Sequence, residues 1–298
     1  MTESAQSAAV ADTNTVASTA VGAFAVGESG VVAAAVAAFN AIASVFDERY
    51  SAWASVAAQR RAVRRELLRV FAPGTSLLEL GGGTGEDALF LAAQGRHVLV
   101  TDGAPAMVEC TAMKAVRAGA TSWVRTRCVP LEQLDGFTAE GESFDGAFSN
   151  FAALNCVQDL GAVARALARA LPADAHALLV LFGPFAPGEV LVQLARGDTR
   201  AAFRRLSRGD VPARLGGRNF SVRYPTPAAV ARAFAPYFEL TRTRGIGVFV
   251  PPSAAEPAIS GQPRLLSWLE TLDRVAAAPL AWLGDHVLLD FRRTTVPR

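Results

Sequence analysis

Lysine is all but missing from this chain. Lys114 is the only one, and arginine supplies the rest of the basic side chains. Beside so much alanine, that bias reads as a GC-rich coding sequence rather than an arginine-based function. Cysteine is scarce as well. Cys110, Cys128 and Cys156 are an odd count with no metal-ligand spacing and no CxxC pair, which argues against a disulfide framework and for a reducing compartment. Long hydrophobic runs are absent: the longest near the start, Val31 to Phe39, is far too short to span a bilayer. The opening Thr2, Glu3 and Ser4 lack the basic segment of a secretion signal. Charge of one sign is not in excess either. The formal net charge is +2, so nothing global points to nucleic acid or an anionic membrane. The expectation is a cytoplasmic protein with no membrane span and no nucleic-acid partner.

What is present is a core-forming composition, 298 residues of which 51% are hydrophobic, enough for one large domain. The chain is organised around Leu77-Leu78-Glu79-Leu80-Gly81-Gly82-Gly83-Thr84-Gly85-Glu86-Asp87. Ser76 to Leu80 reads as a buried strand; the glycines form a tight turn; a helical pattern runs on from Glu86 through Ala88, Leu89, Leu91 and Ala92. Strand, turn and helix are the first half of a nucleotide-binding βαβ unit, in which glycines let the backbone approach a ligand. The spacing is not the dinucleotide GxGxxG. An acid, Glu79, stands two positions before the first glycine, where a carboxylate repels phosphate but suits a cation or an ammonium group. A second strand, Val98 to Thr101, delivers Asp102 about 20 residues after the first glycine, where an acid accepts hydrogen bonds from ribose hydroxyls. The ligand so described has a ribose and a positive end but no phosphate, as S-adenosylmethionine does.

With these residues the sequence resembles the class I S-adenosylmethionine-dependent methyltransferases. The resemblance rests on the glycine motif, on Thr101-Asp102-Gly103-Ala104-Pro105-Ala106-Met107, and on Ser143-Phe144-Asp145-Gly146-Ala147-Phe148-Ser149-Asn150, in that order. It covers roughly residues 76–182 well and the two ends poorly. It implies an α/β, Rossmann-like, seven-stranded sheet with an antiparallel last strand, helices on both faces and a cap insertion after the fifth strand. The domain organisation expected is a flexible tail over 1–30 and a single methyltransferase domain over 31–298, with N-terminal lid helices in 31–71 and the cap in 184–223. The implied cofactor is S-adenosyl-L-methionine, with S-adenosyl-L-homocysteine as product.

The resemblance assigns cofactor contacts to Glu79, Gly81, Gly82, Gly83 and Gly85, to Asp102 and Gly103, and to Met107, which is otherwise a core methionine. Phe46-Asp47 and Tyr50 stand where relatives carry lid residues; Phe46 or Tyr50 either covers the cofactor or packs its helix on the core. After the third strand, Trp123 to Val129, relatives have an acidic pair for the adenine. This chain has Arg127-Cys128-Val129-Pro130-Leu131-Glu132 instead, leaving the backbone of Cys128 and Val129 to do that work. Asn150 and Phe151, at the exit of the fourth strand, are assigned to the cofactor's methyl end, and Ser149 and Asn155 are expected to project the same way. Base-methylating relatives often carry Asp/Asn-Pro-Pro-aromatic here. Asn150-Phe151-Ala152-Ala153 lacks it, which points to a small-molecule acceptor.

Elsewhere the readings are local. Ala54 to Val70 is a helix with Arg60, Arg61, Arg64 and Arg65, a solvated face from which Arg61 is the candidate for the cofactor carboxylate. Val157 to Ala170 is an amphipathic helix that Asn155 would cap, unless Asn155 orients the acceptor. Val190 to Leu206 is an amphipathic stretch within the cap, and Gly216-Gly217 a turn. Phe182, Phe185, Phe220 and Tyr224 would give the cap an apolar lining. Tyr50, Asn150, Asn155 and Tyr224 are the candidates to orient the acceptor.

Methyl transfer is an in-line displacement at a carbon already activated by sulfonium. Alignment contributes up to about 7–11 kcal/mol in favourable cases. His97, His176 and His286 each read as structural, no cluster has metal-ligand spacing, and no residue stands out as a base. Three alternatives remain: the same fold and cofactor used for cyclisation or decarboxylation, a non-catalytic binding module, and a nicotinamide-dependent dehydrogenase, which Glu79 and the glycine spacing disfavour.

Overall fold

The glycine turn opens between a strand and a helix, as its sequence requires. In a computed structural model, which describes residues 30–50, 53–138, 142–151, 153–207 and 209–295, β1 (Ser76–Leu80) runs into the turn and α4 (Glu86–Ala93) leaves it. The expected tail over 1–30 lies outside the described residues save for Gly30. Three helices precede β1: α1 (Gly30–Ile42), α2 (Phe46–Tyr50) and α3 (Ala54–Val70).

After α4 come β2 (His97–Asp102), α5 (Pro105–Arg117), β3 (Val124–Cys128), α6 (Leu134–Thr138), β4 (Gly146–Ser149), α7 (Leu160–Ala170) and β5 (His176–Phe182). Pro105 opens α5, where its missing N–H costs nothing. The helix expected from Val157 starts three residues later. Its cap is Asp159, whose carboxylate accepts from the Gly161 and Ala162 amides, not Asn155.

The insertion follows β5: α8 (Pro187–Ala195), α9 (Thr199–Ala202), then the hairpin β6 (Val211–Leu215) and β7 (Arg218–Val222). The amphipathic stretch is thus two helices, broken at Gly197 with φ +76° and restarted by the Asp198 cap. The hairpin was not visible in the sequence. Its turn, Gly216-Gly217, holds both residues at positive φ, the geometry of a two-residue β-turn that matches strand twist. The chain closes with α10 (Pro227–Phe234), capped by Thr226 as expected, then β8 (Phe238–Ile246), α11 (Pro263–Ala276) and β9 (His286–Arg293).

The strands form one seven-stranded sheet in the order β3-β2-β1-β4-β5-β9-β8. The first five are parallel, and β9 inserts antiparallel between β5 and β8, as expected. β1, β4 and β5 are buried on both faces, which is why they read as continuous apolar runs. On one face Val63 and Leu67 of α3, Ala88 and Leu91 of α4 and Ala115 of α5 pack on Leu77, Val98, Phe148 and Leu178. On the other, Leu134, Val163, Leu167 and Phe234 cover Leu78, Leu179 and Phe291. Among the described residues no helix is long and apolar enough to cross a membrane.

Candidate functional site

β1 ends in a carboxylate with nowhere to go. Glu79 is 2% exposed, and its Oε2 has no hydrogen-bond partner among the described residues. Burial, and then the nearby Asp87, push its carboxyl well above the usual carboxylate range, while Arg60 and Arg64 pull the other way. Gly82 makes this position available. A Cβ there would stand 2.8 Å from Glu79 Cδ and 2.5 Å from Val100 Cγ1. Gly83, at φ +56°, is the opposite case: a Cβ there would meet nothing within 4 Å, so the loop faces open space at this residue. Gly81 and Gly85 also lie at positive φ, seating the turn against Ala153 and Thr111.

Asp102, at the end of β2, faces the same loop. Its Oδ2 accepts from the Gly83 amide at 2.9 Å and its Oδ1 from the Ala104 amide at 2.8 Å. Burial raises its carboxyl, and these two hydrogen bonds oppose the rise. Gly103 lies beneath α1; a Cβ there would meet Val36 at 2.9 Å. Met107 is 1% exposed and packs with Ile42, Ala43 and Ala104, so its side chain serves the core here. Cys128 is half-buried with its thiol toward the Gly103 carbonyl at 3.8 Å. The Val129 amide is already given to the Asp102 carbonyl at 2.9 Å, which removes it as an adenine donor.

The helices before β1 reach this corner. The Phe46 and Tyr50 rings meet at a tilt with centroids 4.9 Å apart and pack against the Met107 cluster. Asp47, between them, accepts from Thr84 of the glycine loop at 2.5 Å and from Lys114 at 2.7 Å.

At the exit of β4 the expectation changes. Ser149 and Asn150 are committed to structure: the Ser149 hydroxyl donates to the Leu80 carbonyl, and the Asn150 amide donates to Asp87 at 2.7 Å. Asp87, 3% exposed, is also gripped by Arg60 at 3.0 Å and Arg64 at 2.7 Å. Arg61, the sequence candidate, points elsewhere and pairs with Glu270 at 2.5 Å. Arg60 is the arginine at the site, lying over the Phe151 ring at 4.7 Å. Phe151 sits at φ +49°, a conformation that costs a side-chain-bearing residue about 1–3 kcal/mol.

Beyond Phe151 stands a group the sequence did not bring to the site. His286 opens β9, and because β9 runs antiparallel, its first residue lies beside the last residue of β5, Phe182. The His286 ring stacks on Phe182 at 4.8 Å and meets Phe151 edge-on at 5.4 Å. Burial lowers its imidazole to about 4, with Asp285 raising it and Arg205 lowering it further. Arg205 of the cap is itself buried, paired with Glu189 and Asp285, and lies over the Phe182 and Tyr224 rings. Burial also raises the Tyr224 phenol. Phe220 turns instead to Phe39 of α1, at 5.9 Å. Asn155 neither caps a helix nor points at open space. Its Oδ1 accepts from the Phe182 amide at 2.9 Å and its Nδ2 donates to the Arg223 carbonyl at 2.6 Å.

Residues 77–174 match the family model described as a methyltransferase domain. Among solved structures, the chain superposes on the CcbJ methyltransferase of Streptomyces caelestis with a TM-score of 0.54, at 16% identity, over 87% of this chain and 98% of that one. The DhpI complex with SAH gives 0.54 at 18% identity over 89% and 98%, and the cyclase SpnF 0.54 at 16% over 87% and 94%. At such identities the likeness is one of fold. No curated protein matches the sequence. The match to a methyltransferase domain over the glycine and acid motifs lies on a sheet with the strand order and antiparallel return of the class I S-adenosylmethionine-dependent methyltransferase fold.

Proposed function

We propose that the chain transfers a methyl group from S-adenosylmethionine to a small-molecule acceptor. The observation that carries the reading is the unpartnered, buried Glu79 oxygen beneath a glycine loop that is open at Gly83. A buried carboxylate without a partner is costly unless a ligand supplies one, and an ammonium group does. Asp102, fixed by two backbone amides, keeps lone pairs for a diol. These residues fit the cofactor, which supplies a methyl carbon already activated for displacement.

Residues 31–71 act as the lid and 184–223 as the cap. Phe46 and Tyr50 exclude water from the ribose side, and Asp47 holds them to the loop. Phe151, Phe182 and Tyr224 form the acceptor's apolar wall. Among the described residues no group of three or more His, Cys, Asp or Glu is arranged to hold a metal ion.

Calorimetric titration with S-adenosylhomocysteine tests it. Micromolar binding by the intact protein, lost in Asp102→Ala, supports the reading. No binding by the intact protein overturns it. Mass analysis of products from an acceptor screen with S-adenosylmethionine then separates a gain of one methyl from rearrangement of the acceptor.

A further inference from the structure

His286 is held in one tautomer by its neighbours. Two atoms approach its Nδ1: Gln59 Oε1 at 3.1 Å and Asp285 Oδ2 at 3.5 Å. The Gln59 amide cannot be turned round, because its other end faces Asp285 Oδ2 at 3.1 Å and the Pro251 carbonyl at 3.5 Å, both acceptors that require an N–H. Gly247 makes room for that amide, since a Cβ there would meet Gln59 Nε2 at 2.6 Å. Both neighbours of Nδ1 are therefore acceptors, Nδ1 carries the proton, and Nε2 is left with a lone pair. Nε2 has no hydrogen bond among the described residues. The ring lies between Phe151, at the exit of β4, and Phe182, at the end of β5.

We propose that His286 takes the proton of the methyl acceptor at Nε2, and that the acceptor carries its reactive hydroxyl on a flat, apolar skeleton. This rests on the methyltransferase reading and adds the acceptor's chemistry to it. The skeleton follows from the Phe182 and Phe151 rings packed against the imidazole. The hydroxyl follows from the lone pair: a carboxylate or a thiolate has no proton to give, and a free amine needs none removed before attack.

The hydroxyl oxygen forms the O–CH3 bond as the S–CH3 bond gives its electron pair to sulfur. The O–H proton passes to Nε2, and the imidazolium returns it to water. A weakly basic imidazole suffices, because the hydroxyl becomes strongly acidic only as the new bond forms. The charged groups around the ring agree. Arg205, from the insertion after β5, lies over Phe182 at 5.0 Å and disfavours a resident imidazolium; Arg60, from α3, lies over Phe151 at 4.7 Å with its charge paired to Asp87 at 3.0 Å. Asp285 favours one but is held by Arg205 at 2.6 Å, with Glu189 behind the same guanidinium and Tyr224 beneath it. Burial keeps the ring neutral well below pH 7.

The test is long-range nitrogen NMR of the histidine rings in the whole protein saturated with S-adenosylhomocysteine, with His97→Gln and His176→Gln assigning the signals by elimination. The expected result is a neutral His286 with hydrogen on Nδ1 at pH 7, whose Nε2 resonance moves upfield on addition of phenol and not of anisole. A proton on Nε2, a charged ring at pH 7, or an Nε2 resonance unmoved by phenol overturns the proposal. Calorimetry on the same sample separates the two readings. Absence of cofactor binding removes both, whereas binding with the wrong tautomer removes this one alone.

Discussion

Thr84 of the glycine loop donates its hydroxyl hydrogen to Asp47 of α2 at 2.5 Å, so the helices before β1 are fastened to the loop. The chain's single lysine reinforces the join, with Lys114 reaching Asp47 at 2.7 Å and Glu86 at 2.5 Å. Thr84→Val keeps the volume and removes the hydrogen bond. Loss of a hydrogen bond to a charged group costs about 1.5–3 kcal/mol, discounted here for partial exposure. S-adenosylhomocysteine binding should weaken about tenfold by calorimetry, equivalent to about 1.4 kcal/mol. Unchanged affinity would show that the lid plays no part in holding the cofactor.

Gly82→Ala should abolish cofactor binding without unfolding the protein. The new Cβ would crowd Glu79 at 2.8 Å and Val100 at 2.5 Å, driving the carboxylate from beneath the loop. Gly136→Ala is the control, as a Cβ there meets nothing within 4 Å. Circular dichroism and a cooperative melt report folding, and calorimetry reports binding. Retained affinity in Gly82→Ala would remove Glu79 from the site.

Asp87→Ala should lower stability by about 3–5 kcal/mol in a denaturant melt, because removing this buried carboxylate takes a partner from Arg60, Arg64 and Asn150 and leaves Arg64 only Glu86. A loss below about 1 kcal/mol, the range of surface pairs, would mean that this junction between α3, α4 and β4 is open to solvent.

Stability should depend on pH through His286. Its folded-state value of about 4 lies below the ordinary 6.5, so between these values the unfolded chain binds more protons. The contribution is therefore complete above pH 6.5 and is lost as pH falls toward 4, amounting to about 3 kcal/mol. Between pH 7 and pH 4 the intact protein should lose that much more stability than His286→Phe. Parallel losses would show that the imidazole is hydrated in the folded state.

The parts of the fold legible in the sequence are those decided within a few residues. The glycine turn, the proline start of α5 and the Thr226 cap depend on local φ angles and local hydrogen bonds. The site residues misplaced are those whose direction is set by distant chain. Arg61 and Arg60 are neighbours in sequence but about 100° apart around the helix. The buried Val63 and Leu67 mark the face that packs on the sheet, and Arg60, three residues before Val63, flanks it. That spacing was the available signal. His286 carried no such signal. Read as the start of a strand, it belongs to the edge away from the ligand; only the antiparallel insertion of β9 brings a strand's first residue to the edge where the parallel strands end. Asn155 looked like a cap because Asn usually is one, while its true partners lie 27 and 68 residues away.

That last residue has a consequence for how such a protein can change. One asparagine holds both the Phe182 amide, where the chain leaves the sheet, and the Arg223 carbonyl, where it comes back, and the Arg223 amide returns a hydrogen bond to the Asn155 carbonyl at 2.7 Å. The forty residues between depart and arrive at a single clasp. A segment so hinged behaves as a cassette. The five parallel strands and the glycine loop lie outside it, and a replacement must still satisfy the buried Asp285 that Arg205 now pairs and the Phe39 ring that Phe220 meets. Under the proposed function, a change of acceptor would then need changes in one contiguous stretch of gene and not in the sheet.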